Sequence, residues 1–127
     1  MSDTLVRDFA LADLAAVRSE VERFGADHGL ADRELYRFVV AVNELTTNAV
    51  RHGGGAGRLE LHRTGTVLRC QVLDQGPGIP MDRRDAARPA PRAVSGRGLW
   101  LARQIAASFD IDSHASGTSV TLTTSVA

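Results

Sequence analysis

The sequence predicts an α+β fold, a two-layer sandwich with helices on one face of a mostly antiparallel mixed sheet. Three observations predict it. Two stretches of helical apolar period come first, from about 13 to 29 and from 32 to 52. The period then switches to alternation over 58–74. A short apolar helix and two more alternating strands close the chain.

The elements follow in order. Residues 3–10, "DTLVRDFA", are short and mixed, as an edge strand is. From Asp13, apolar residues recur at Leu14, Val17, Val21 and Phe24, and either Gly25 or Gly29 stops this helix. Asp32 is the expected N-cap of the next helix, and Glu34 suits the positive end of its dipole. Its apolar stripe is Leu35, Val39, Val42, Thr46 and Ala49. It runs to about His52, where "GGGAG" breaks it.

"RLELHR", 58–63, alternates and reads as a strand. "TGT", 64–66, is a turn, and "VLRCQVLD", 67–74, is the hairpin partner. "QGPGIP", 75–80, ends that strand. Residues 81–95 mix prolines, alanines and arginines without a period and read as a long mobile loop. After "GRG", 96–98, "LWLARQIAASF" reads as a helix with Leu99, Ala102, Ile105 and Ala106 on its buried face. "FDIDSHA" and "TSVTLTTSV" are the last strands, turning at Ser116-Gly117.

Length and composition bound the rest. The chain has 127 residues, enough for one domain with its own core. The formal net charge is zero, which argues against a long-range field for nucleic acid. Cys70 is the only cysteine, so no internal disulfide forms and no zinc pattern exists. The N-terminus has no apolar run and no segment reaches membrane length, so a cytoplasmic protein is the expectation.

Four clusters carry chemistry. Glu44, Asn48 and Arg51 stand at steps of four and three, on one face of a helix, with His52 just beyond. The row reads either as a solvated face or as a working one. A carboxylate takes a proton or orients a water. A carboxamide oxygen suits Mg²⁺, and Arg51 and His52 suit phosphate. Asp74 ends the apolar row Leu68, Cys70, Val72, so it needs a donor. A turn amide and an exocyclic amine such as adenine's both qualify, and Gly76 and Gly78 serve either a turn or a flat ring. Gly96 and Gly98, around Arg97, form either a plain turn into a helix or a phosphate cradle. In "SGTSV", Thr118 is an ordinary strand residue or the holder of a water beside a base.

The order of these clusters is more specific than any one of them. E-x-x-x-N on a helix, D-x-G-x-G after a strand, a loop, G-x-G before a helix and G-T before a last strand resemble the GHKL ATPase superfamily, of the Bergerat fold. Gyrase, histidine kinases and heat-shock chaperones share it. The similarity spans about Tyr36 to Leu122. Within it, "AVNELTTNAVRHG" and "GRGLWLARQIAASFDI" look most like the small anti-sigma-factor serine kinases of the RsbW and SpoIIAB type.

The resemblance implies ATP and Mg²⁺ as cofactors, Glu44 as catalytic base, Asn48 as metal ligand and Asp74 as the adenine-reading carboxylate. It implies that Gly76, Gly78, Gly96, Arg97, Gly98 and Leu99 shape the nucleotide pocket, that Thr118 supports the base through water, and that 81–95 is the lid. It implies an anti-anti-sigma protein as substrate and a sigma factor as sequestered target. The chain departs from the pattern in a short lid with Pro89 and Pro91, and in "GGGAG" after His52.

Two functions follow as expectations. The first is a serine/threonine-protein kinase acting as an anti-sigma factor. The second is a non-catalytic module whose lid, set by ATP or ADP, tunes partner binding. A histidine-kinase fragment lacks a phospho-acceptor helix, and a metal enzyme built on His28, His52, His62 and His114 lacks ligand spacing. The edge strand at 3–10 leaves a homodimer open.

Overall fold

The computed structural model describes residues 3–75, 102–114 and 116–126. Strand β1 (Thr4–Ala10) leads through a 3₁₀ turn at Leu11–Asp13 into helix α1 (Leu14–Asp27). Helix α2 (Asp32–His52) follows, then strands β2 (Ala56–Thr64) and β3 (Val67–Asp74). Residues 102–105 are helical, and β4 (Ser108–His114) and β5 (Gly117–Ser125) end the chain.

The strands form one five-stranded sheet in the order β1-β2-β3-β5-β4. Every pairing among the described residues is antiparallel. Thr64 pairs with Val67, so Gly65-Thr66 is a two-residue turn of the kind that matches strand twist.

Alternation decides which face is covered. Leu59 and Leu61 of β2, Leu68, Cys70 and Val72 of β3, and Val120 and Leu122 of β5 are all buried. They meet Val17, Val21 and Phe24 of α1 and Phe38, Val42, Leu45 and Ala49 of α2 in one core. The helices therefore cover one face, as a two-layer sandwich requires. Arg7 Nε donates to Glu20 Oε2 at 3.2 Å, tying β1 to α1.

Two local expectations change and one open choice is settled. Asp32 is not the N-cap of α2; Ala31 is, extended at φ −144° and ψ 157° and without a side-chain cap bond. Asp32 takes φ 51°, outside the extended region a capping residue occupies, and aspartate tolerates that left-handed value better than most residues. Gly25 sits buried inside α1, and the stop falls to Gly29 at φ 105°. The helix expected to run to Phe109 ends at residue 105, and β4 begins at Ser108, so Phe109, which the sequence shares between helix and strand, lies in the strand. It pairs with Leu122 and, two residues from Ile111, packs on the core.

Candidate functional site

The candidate site lies at the C-terminal end of α2. Helix α2 buries Phe38, Val39, Ala41, Val42, Leu45, Thr46 and Ala49. That stripe leaves Glu44 and Asn48 half-buried on its flank and Arg51 exposed. Buried Thr46 satisfies its hydroxyl within the helix by donating to Asn43 O at 3.0 Å. Asn48 differs: its Nδ2 is buried and has no hydrogen-bond partner. A buried amide N–H without a partner is costly, so the position suits an acceptor supplied by water or a bound molecule. A flip of the carboxamide presents oxygen in place of nitrogen, so Asn48 can donate to a phosphate or accept a cation. The metal role that the resemblance implies needs the flipped orientation, with oxygen in place of the unpartnered Nδ2.

Arg51 and His52 occupy the last turn of α2, where positive charge complements the helix dipole. At the end of β3, Asp74 stands directly opposite Thr118 of β5. Asp74 is half-buried and Thr118 is buried. The Asp74 carboxylate also lies against Gly53, the residue that caps α2. Five residues separate Gly53 from Asn48, about 7 Å of rise along a helix. Three chain segments thus approach one another at Asp74.

A cavity of about 960 Å³ opens at this end of the sheet. It is lined by Asp74, Gln75, Gly53 and Gly54, with Phe9 and Arg58 on its other side. Its size is within the range of small-molecule sites, roughly 300–1,000 Å³. Glu44 and Asn48 do not line it. The structure thus brings Asp74, Thr118 and the tip of α2 together, and leaves Glu44 and Asn48 further up the helix. Gly76, Gly78, Gly96, Arg97, Gly98, Leu99 and the 81–95 segment lie outside the described residues.

Sequence reasoning did not find the close fit that Gly53 and Gly117 make with Asp74. A Cβ on Gly53 would collide with Asp74 Cγ and Oδ2, and one on Gly117 with Asp74 O. The run of three glycines reads only as a helix stop, and Gly117 as a turn and the first residue of the G-T pair.

Two of the rival histidines have other roles. His28 is buried, stacks on Phe24 with ring centroids 4.0 Å apart, and places Nδ1 2.8 Å from Phe24 O. Its Nε2 lies 3.5 Å from Asp3 Oδ1 without hydrogen-bond geometry. His62 is exposed and bonds to Thr4 Oγ1 at 2.8 Å. Among the described residues, no group of three or more His, Cys, Asp or Glu side chains is arranged to hold a metal. Among them, too, no helix is long and apolar enough to cross a membrane.

The sequence matches the histidine kinase-like ATPase domain family over residues 8–124. The chain belongs to this family. Solved structures agree on the fold. The RsbU and RsbW domains of Rv1364c from Mycobacterium tuberculosis match with a TM-score of 0.73 at 22% identity, covering 96% of this chain and 32% of that one. The mycobacterial sensor histidine kinase MprB matches at 0.61 and 18% identity, covering 95% and 97%. The catalytic domain of histidine kinase ThkA matches at 0.59 and 18%, also covering 95% and 97%. The domain thus spans about a third of the Rv1364c chain. A search of curated proteins returns no match. The five-stranded antiparallel sheet and its one-sided helices are the fold of this ATPase family.

Proposed function

We infer that the domain binds ATP at the Asp74 end of the sheet and acts as an anti-sigma-factor serine/threonine kinase. The observation that carries this reading is the meeting of Asp74 with Thr118 and with the tip of α2, the helix that also bears Glu44 and Asn48. In this reading Asp74 accepts a hydrogen bond from the adenine amine, and buried Thr118 holds a water at the base. Asn48 would hold Mg²⁺, which when bound neutralises charge on the transferred phosphate. Arg51 and His52 meet the phosphates.

A Ser or Thr hydroxyl of an anti-anti-sigma protein attacks the γ-phosphorus. A new P–O bond forms to that oxygen, the β,γ-bridging P–O bond breaks, and ADP leaves. The hydroxyl proton passes to Glu44. The unphosphorylated antagonist and a sigma factor are the two protein partners, and the site works in the cytoplasm. The test is incubation with radiolabelled ATP and candidate antagonists. Label transferred to a Ser or Thr by the wild type and not by Glu44→Ala supports the reading. No transfer to any antagonist, or undiminished transfer by the variant, refutes it.

One observation favours a second reading. The cavity beside Asp74 does not reach Glu44. A module that holds ATP or ADP and tunes partner affinity without chemistry needs only the Asp74 end. Unchanged γ-phosphate after long incubation, together with tight nucleotide binding, distinguishes it.

A further inference from the structure

We propose that Gly53 and Gly117 are positioning residues for Asp74, and that Gly53 thereby sets selectivity for the base. This rests on the nucleotide reading above. Gly53 has φ −107° and ψ 28°, a conformation open to any residue. Its backbone therefore does not require glycine. Its surroundings do. It is buried, and a Cβ there would overlap Asp74 Cγ and Oδ2 and lie 2.6 Å from Ala49 O. Gly117 is the counterpart on the other side of Asp74. Its φ is also outside the left-handed region, and a Cβ would overlap Asp74 O and stand 3.3 Å from Gln75 Cα. One glycine limits the side chain of Asp74 and the other its main chain.

Electrostatics makes this packing matter. The C-terminal end of α2 carries the negative pole of the helix dipole, which repels a carboxylate. Asp74 is closely packed at that end, with α2 on one side and β5 on the other. One added methyl on Gly53 pushes the carboxylate off the helix tip. A carboxylate that reads an exocyclic amine by a single hydrogen bond loses that bond when it moves by an ångström. The effect falls on bases that carry the amine and spares those that lack it.

The experiment compares wild type and Gly53→Ala as full chains with Mg²⁺, by calorimetry with ATP and with inosine triphosphate, whose 6-oxo group cannot donate. The expected result is that ATP affinity falls about tenfold or more while inosine triphosphate affinity holds, so the preference collapses. Equal losses for both nucleotides, or no loss, overturn the selectivity claim. A thermal-stability cycle of Gly53→Ala with Asp74→Ala needs no nucleotide. The destabilisation by Gly53→Ala should shrink once Asp74 is truncated, and an equal cost in both backgrounds overturns the packing claim. Should Gly53→Ala fail to fold alone, recovery in the double variant supports the proposal, and failure of both overturns it. A wild type that does not prefer ATP removes the nucleotide reading, and the stability cycle still decides whether Gly53 positions Asp74.

Discussion

Asp74 and Thr118 face each other across β3 and β5, on the side of the sheet that the helices cover. Directly opposed residues in an antiparallel pair hold their Cβ atoms about 5 Å apart. A carboxylate and a hydroxyl at that spacing can share one small polar group. Asp74→Ala should weaken ATP binding by roughly tenfold to a hundredfold, the value of a hydrogen bond to a charged acceptor. Thr118→Val keeps the shape, removes the hydroxyl, and should cost less than Asp74→Ala. Calorimetry on the two variants checks the ranking.

Asn48 carries a buried amide group without a partner. Asn48→Ala should lower ATP affinity in the presence of Mg²⁺. Chelation with EDTA should weaken binding to the wild type and have little further effect on the variant. The two measurements together separate a metal role from a general packing role. If the variant remains as sensitive to EDTA as the wild type, Asn48 does not hold the ion.

How much of this was legible in the sequence depends on the kind of signal. Strand β1 was read only as a short, mixed edge segment, whereas periodicity found both long helices and the β2–β3 hairpin, because burial on one face imposes a period. It placed Val67–Asp74 to the residue. It failed where a choice was local. Asp32 has the right side chain for a cap, yet the backbone there turns left-handed and the cap passes to Ala31. Phe109 fits both the end of the apolar helical run and the start of the next strand, and its pairing with Leu122 decides for the strand. Asp74 was readable because a carboxylate at the end of an apolar row is conspicuous. Gly53 was not. Gly54 and Gly55 take φ of 89° and 90°, so they are glycines for their backbone, while Gly53 is one for want of space. Sequence does not separate the two reasons within one run.

The core should answer to truncation in the ordinary way. Leu45 of α2 and Leu61 of β2 are fully enclosed and face one another's layers. Leu45→Ala and Leu61→Ala should each cost about 2–5 kcal/mol in urea unfolding. A loss under about 1 kcal/mol for either would mean that the helix layer does not pack on the sheet as described.

Cys70 is a buried strand residue, and burial pushes its thiol well above the usual range. The native thiol should resist alkylation at pH 8 and react only on unfolding. Linkage fixes the sign on stability. Above about pH 8.5 the unfolded chain loses the thiol proton while the native chain keeps it, so stability falls as pH rises. The slope approaches about 1.4 kcal/mol per pH unit, and Cys70→Ala should remove this contribution. Denaturant melts of both chains from pH 7 to 10 check it.

The central claim is a nucleotide seated between the tip of α2 and the ends of β3 and β5. The most direct measurement is an NMR titration of the full chain with ATP and Mg²⁺. The account predicts saturable amide shifts at Asn48, Gly53, Asp74 and Thr118 that follow one binding curve, with Thr4 and His62 on the opposite face unmoved. Saturation that leaves Asp74 and Thr118 unshifted, or no saturable shift at all, would contradict it.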